Sequence, residues 1–251
     1  MAGGRVIRGL RAAADIILPR VCLVCGRKLL LGENHICLYC QSDIPLTRFR
    51  LLQHNPMADR FNEIIQKQLE ACEKPAREMY AYALSLFFYD TDSDYRHIPY
   101  HIKYHGGIKA GHHFGEMLGY EIAAAPWMAD IDVIIPVPLH WRRKWSRGYN
   151  QAEVLARAVS GIVDVPVRTD ILKRLRYTST QTKMDIPQKA ENVNGAFAAV
   201  RPEGCTFRHV LLIDDVFTSG STLGACFQAL RSAFPPSVRI SVATLAFVGE
   251  V

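Results

Sequence analysis

The sequence predicts an α/β fold, a mostly parallel sheet flanked by helices, with a small cysteine-bound unit at its N-terminal end. Three observations carry this. Short β-branched runs at 132–137, 210–213 and 238–248 alternate with stretches of helical periodicity, the pattern of a parallel sheet with helical crossovers. The run Val210-Leu211-Leu212-Ile213 ends on Asp214-Asp215 and a Thr-Ser-Gly-Ser-Thr loop before a helix at 223–233. Two Cys-x-x-Cys pairs near the N-terminus supply four thiols in a spacing that suits a structural metal.

Whole-chain quantities bound the reading. The chain has 251 residues, enough for one large domain or a main domain with an appendage, and a hydrophobic share of 49% that fills a core. Thirty Lys and Arg against 24 Asp and Glu give a net charge of +6, which favours anionic partners. No apolar run reaches the length of about 20 residues that spans a bilayer. Residues 6–18 place apolar side chains at helical spacing, with Arg5, Arg8 and Arg11 between them and Asp15 interrupting any signal core. An amphipathic helix docked on the protein is expected there. Cysteines arranged for a metal rather than for disulfides indicate a reducing, cytoplasmic setting.

Taken in order, Cys22-Leu-Val-Cys25 and Cys37-Leu-Tyr-Cys40 flank eleven residues containing Gly26, Gly32 and Asn34. Each pair forms a knuckle, and four thiolates close a tetrahedral zinc site without an open position. A unit this small has little core, so the metal would supply its folding energy. Residues 44–53 read as a connector; residues 1–55 are expected as the N-terminal unit and 56–251 as the main domain. Asn55-Pro56 opens a helix over 57–72, with Phe61, Ile64, Ile65 and Leu69 on one side. Residues 80–89 read as a strand. Five histidines between His97 and His113 raise a second metal site, but Pro99 and Gly106-Gly107 break the continuous helix that would align them. A helix follows over 108–124.

Pro138-Leu139-His140 turns at the end of the strand over 132–137. Arg142, Arg143, Lys144 and Arg147 then form a cationic loop before a helix over 149–159. Such a loop at a strand's carboxyl end suits an anion. Residues 171–197 form the longest irregular segment, with Lys173, Arg174, Arg176, Lys183 and Lys189, and read as a mobile lid. In Thr218-Ser219-Gly220-Ser221-Thr222, backbone N–H groups and hydroxyls face one anion, helped by the helix dipole. Asp214 and Asp215 suit the hydroxyls of a sugar or a magnesium ion. No Gly-Lys-Ser/Thr follows, so the loop is not a P-loop. The residues describe a pocket for a phosphorylated ribose.

This stretch resembles the phosphoribosyl pyrophosphate (PRPP) signature of type I phosphoribosyltransferases. The wider chain resembles the ComF family of competence-associated proteins, which join a zinc ribbon to such a domain. The matching pieces are the two cysteine pairs, Ile102-Lys103-Tyr104-x-Gly106, Ile135-Pro136-Val137-Pro138-Leu139 and Arg147-Gly148-Tyr149-Asn150-Gln151-Ala152. Gln181, Asn192-Val193-x-Gly195-Ala196-Phe197 and the PRPP stretch complete them. Lys189 departs from the family's arginine, keeping the charge but losing bidentate phosphate geometry.

The resemblance implies a magnesium-bound PRPP ligand. Asp214 and Asp215 would hold the ribose as the catalytic acids, and Thr218, Ser219, Gly220, Ser221 and Thr222 the 5′-phosphate. Arg142, Arg143 and Arg147 would lie near pyrophosphate, with Lys103 beside them. It also implies work in competence, the uptake and processing of DNA, with single-stranded DNA or DNA-uptake and recombination proteins as partners. A non-catalytic adaptor, whose ribbon contacts DNA or a DNA-processing partner, is the competing reading. A redox role for the cysteine pairs is the third.

Overall fold

The computed structural model describes residues 19–70, 78–104, 106–175 and 195–249. The helix expected over 6–18, Cys72, His105 and the interior of the expected lid, including Arg176, Gln181, Lys183, Lys189 and Asn192, lie outside those residues. The strands are β1 (Ala83–Phe88), β2 (Val133–Pro136), β3 (Leu172–Arg174), β4 (Phe197–Ala199), β5 (His209–Phe217) and β6 (Arg239–Phe247). Four of them form one sheet in the order β1-β6-β5-β2, parallel at every ladder. β3 and β4 pair antiparallel as a separate two-stranded unit.

The pattern of β5 explains its place. His209-Val-Leu-Leu-Ile-Asp-Asp is buried without interruption, as a central strand covered on both faces must be. The α-helices among the described residues are α1 (Leu38–Ser42), α2 (Pro56–Glu70), α3 (His97–Tyr104), α4 (Ile108–Ala123), α5 (Trp141–Arg147), α6 (Gln151–Val163) and α7 (Ser221–Ala233). α4 packs along α6, and α2 packs against β1 and α7. The α4–α6 contact is close because Gly111, Gly115 and Gly119 recur every four residues. A Cβ on Gly115 would lie 2.7 Å from the Ala158 Cβ.

Several expectations need correcting. β5 does not end before the acid pair but runs through it to Phe217, because β6 continues to pair with it up to Phe247. The cationic loop is a helix, α5, capped by the His140 side chain at its start and by left-handed Gly148 at its end. Pro99 does not prevent helix at the histidines. α3 starts at His97, so Pro99 falls in the first turn, where its missing N–H costs nothing. The segment 171–197 is not irregular throughout, since its two ends are β3 and the start of β4.

The connector also has a role. Leu46 bridges Phe87 antiparallel, the Thr47 N–H donates to the Leu86 carbonyl at 3.1 Å, and the Phe88 N–H donates to the Pro45 carbonyl at 2.8 Å. The free edge of β1 is therefore covered. Asn55 caps α2, its Oδ1 accepting from the Ala58 N–H at 3.0 Å, while its amide donates to the Ala83 carbonyl at 2.9 Å. Cys22, Ile36 and Cys40 belong to the same buried cluster as the sheet.

Candidate functional site

β2 stops at Pro136, and its last bond to β5 runs from the Val137 N–H to the Ile213 carbonyl at 2.9 Å. β5 goes on for four more residues beside β6 alone. Asp214 and Asp215 therefore lie where β5 has lost one neighbour, at the carboxyl end of the sheet. A cavity of about 270 Å³ opens there. Lys103 and Tyr104 of α3, Val137-Pro138-Leu139 after β2, and Arg143 and Arg147 of α5 line it. So do Gln151 of α6, Arg174 of β3, Asp214 to Val216 and Thr218 of β5 and the following turn, and Thr222 of α7.

The turn after β5 is fixed by Gly220. Its φ is +77°, and a Cβ there would sit 2.5 Å from Ile64 Cδ1 and 2.8 Å from Phe217 Cζ. Only glycine meets both demands. Gly220 starts α7 without a side-chain cap, so first-turn N–H groups are left for an anion. Ser219 and Ser221 share a hydroxyl contact of 2.8 Å beside them. On the opposite wall, Asn150 caps α6 and its amide donates to the Val137 carbonyl at 3.0 Å, fixing that helix to the end of β2. Arg147 donates to Gln151 Oε1 at 3.0 Å, and its guanidinium lies 4.9 Å from the centre of the Tyr104 ring.

Charge in the cavity is unbalanced, four cations facing two carboxylates. Lys103 Nζ lies 3.0 Å from Asp215 Oδ2. Burial works to lower the Lys103 pKa, but Asp215 and then Asp214 more than offset it, and the ammonium is held above its ordinary value. Burial and then the Asp215 charge push the Asp214 carboxyl up to about 7, against the Asp215 N–H that donates to it at 2.9 Å. Burial, then the Arg143 charge, draw Arg174 below its usual range. Such an arrangement can attract an anion through its four cations and accept hydrogen bonds at its two carboxylates.

The four cysteines form a second site. Their Sγ atoms all lie within 4.8 Å of one another, and they are the one metal-competent group among the described residues. Cys25 Sγ and Cys37 Sγ are 3.8 Å apart. That is the edge of a tetrahedron with metal–sulfur bonds of about 2.3 Å, so the donor set fits zinc. The Cys37 and Cys40 N–H groups donate to Cys22 Sγ and Cys37 Sγ, and Arg27 reaches Cys37 Sγ at 3.1 Å. Against burial, the Cys40 N–H and then Arg27 hold the Cys37 thiol down at about 6. Glu33 braces the loop between the knuckles, accepting from the Leu30 and Leu38 N–H groups at 2.6 and 2.8 Å.

Part of the chain is similar to known proteins. Residues 146–249 match the family model of the phosphoribosyl transferase domain. Competence protein F of Haemophilus influenzae is 42% identical over 101 residues, 40% of this chain and 44% of that protein. The DNA utilization protein YhgH of Escherichia coli O157:H7 is 36% identical over 100 residues, 39% of this chain and 43% of that protein. These matches support a resemblance to the ComF family over about two fifths of the chain. The matched part spans less than half the length of these relatives. A hypothetical protein from Neisseria gonorrhoeae with bound ppGpp covers 57% of this chain and 73% of its own, at 16% identity and a TM-score of 0.33, too slight a likeness to bear on the fold.

Of the residues that the ComF resemblance assigns to PRPP, the cavity gathers Lys103, Arg143, Arg147, Asp214, Asp215, Thr218 and Thr222. Ser219, Gly220 and Ser221 frame the turn without lining the cavity. Arg142 lies elsewhere, exposed, its guanidinium 5.2 Å from the Trp141 ring centre. The helical form of α5 explains this, since Arg143 and Arg147 are four apart and share a face, while Arg142 is turned about 100° away. Tyr104 and Gln151 line the cavity without an expected role, and Arg174, expected on the lid, stands in the fixed wall. In β3 Leu172 is buried, Lys173 exposed and Arg174 half-buried, an alternation too short at three residues to be read from the sequence. Among the described residues no helix is long and apolar enough to cross a membrane.

Proposed function

We propose that this chain binds magnesium-PRPP and transfers its phosphoribosyl group to an acceptor nucleophile in the handling of DNA. The observation that carries this is the meeting of an acid pair, a hydroxyl-rich turn before a helix and three arginines in one cavity at the open end of β5. Asp214 and Asp215 accept hydrogen bonds from the ribose 2′- and 3′-hydroxyls. The N–H groups and hydroxyls of the turn from Thr218 to Thr222 hold the 5′-phosphate. Arg143, Arg147 and Arg174 face the pyrophosphate, and Lys103 keeps Asp215 in place.

The acids do not form a ready cage of oxygens for magnesium, because Lys103 already pairs with Asp215. They fit an ion that enters on the ligand's own oxygens. Bound in that way, magnesium supplies charge neutralisation on the pyrophosphate. The bond between ribose C1 and the pyrophosphate oxygen breaks, the oxygen keeps the electron pair, and the acceptor's lone pair forms the new bond at C1. The arginines stabilise the charge that gathers on the leaving group, and the acids orient the sugar as C1 gains oxocarbenium character. Zinc on Cys22, Cys25, Cys37 and Cys40 holds the N-terminal unit and has no part in this step.

The names of the relatives, a competence protein and a DNA utilization protein, point to DNA handling and are equally met by a non-catalytic adaptor. The two readings differ in one experiment. Pyrophosphate release from magnesium-PRPP, screened across amines and nucleobases, should be measurable and should collapse in the Asp214→Ala, Asp215→Ala double variant. In the adaptor reading there is no release, and DNA binding follows the zinc content instead. The same preparation should contain about one zinc per chain, and less than about half with reduced thiols would remove the ribbon from the account.

A further inference from the structure

We propose that Tyr149 is a positioning residue for the cavity: its hydroxyl ties the end of α3 to the start of α4 and so sets Lys103 against Asp215. α3 ends at Tyr104, and α4 begins at Ile108 with Gly107 as its N-cap. A helix leaves its last four carbonyls and its first four N–H groups without partners inside it. The Tyr149 hydroxyl takes one of each. It donates to the Ile102 carbonyl and accepts from the Gly107 N–H. A hydroxyl has one proton to give and lone pairs to receive, so both bonds form at one oxygen. Ile102 is fully buried, so water does not stand in for its lost partner. The two helix ends are in contact here. A Cβ on Gly107 would lie 2.7 Å from the His101 carbonyl oxygen and 2.9 Å from Ile102 Cα.

The hydroxyl works from a fixed base. Tyr149 stands between Gly148, whose N–H donates to the Lys144 carbonyl at 2.8 Å, and Asn150, whose side chain caps α6. The Asn150 amide is in turn bonded to the Val137 carbonyl at the end of β2. From there the position passes along the chain to the cavity. Lys103 follows Ile102 directly, and its Nζ lies 3.0 Å from Asp215 Oδ2. A lysine side chain is long and rich in rotamers, so its ammonium is held in one place only when its backbone is. Tyr149 is not among the residues that line the cavity, and it acts through Lys103 rather than on a ligand. Its effect on Lys103 stands on the geometry alone, whereas its effect on ligand affinity rests on the phosphoribosyl reading.

The test is Tyr149→Phe, which keeps the ring and removes the hydroxyl, read beside Lys103→Ala and the double variant in the full zinc-loaded chain. Carbon-13 NMR of labelled aspartate carboxyls follows the titration of Asp214 without ligand. The Lys103 charge favours the ionised form of Asp214, as does that of Arg174, which every variant keeps. Tyr149→Phe should therefore move the Asp214 titration to higher pH, and Lys103→Ala should move it further the same way. In the Lys103→Ala background Tyr149→Phe should add nothing, because the two residues act in series. A tyrosine that only supports the fold would lower the urea midpoint and leave the Asp214 titration in place. That result overturns the proposal, and so does an equal effect of Tyr149→Phe with and without Lys103. Magnesium-PRPP affinity, from calorimetry, should fall roughly 3- to 10-fold in Tyr149→Phe. If the unsubstituted chain binds no magnesium-PRPP, the phosphoribosyl reading fails, and the titration still decides the role of Tyr149.

Discussion

Burial and the adjacent Asp215 hold the Asp214 carboxyl up at about 7, whereas the unfolded chain releases that proton near 3.9. The native state thus keeps a proton that the unfolded state has lost. The stability this contributes is complete at pH below about 4 and drains away as pH rises through about 7. Without ligand, Asp214→Asn should flatten the fall in denaturation midpoint between pH 5 and pH 8 and raise the midpoint at pH 8. An unchanged pH slope in that variant would show that Asp214 is not the group responsible. Residues whose role rests on neighbours in sequence were legible beforehand. Asp214, Asp215 and the turn after them form one local pattern, as do the paired cysteines. Tyr104 and Arg174 were not legible in this way, because only the packing of α3 and β3 brings them to the cavity.

Long apolar strands and amphipathic helices were legible as elements because burial imposes a period on them. α5 escaped because it buries nothing and so carries no apolar stripe, leaving only its caps, His140 and Gly148, as signals. β3 and β4 escaped because three residues each are too short to show alternation. The glycine spacing of α4 was equally silent, since its meaning lies in α6. Gly115→Ala should cost about 1–3 kcal/mol, because the new methyl meets the Ala158 Cβ and the Leu155 backbone. Gly161→Ala on α6 has no atom within 4 Å of the added carbon and should gain about 0.5–1 kcal/mol. Urea denaturation of the two variants checks the pair, and equal effects would contradict the close α4–α6 contact.

Across the whole molecule, the cysteine unit and the sheet are one body in packing terms. The Tyr95 hydroxyl donates to the Cys40 carbonyl at 2.8 Å, and the chain from Pro45 to Thr47 lies along β1. The segment that follows the cysteine unit thus covers the edge strand, while the cavity opens at the carboxyl end of β5, on the side that β2 leaves free. The excess of basic residues was visible from composition, but its division between the cavity wall and the outer face of α5 depends on the turn of a short helix. The acid pair and its turn are proposed to hold a phosphoribosyl ligand. Calorimetric titration of magnesium-PRPP into the full chain and into the Asp214→Ala, Asp215→Ala variant tests it most directly. One saturable site in the unsubstituted chain, weakened roughly a hundredfold or more in the variant, is the expected result. No saturable heat in the unsubstituted chain, or equal affinity in both proteins, would contradict it.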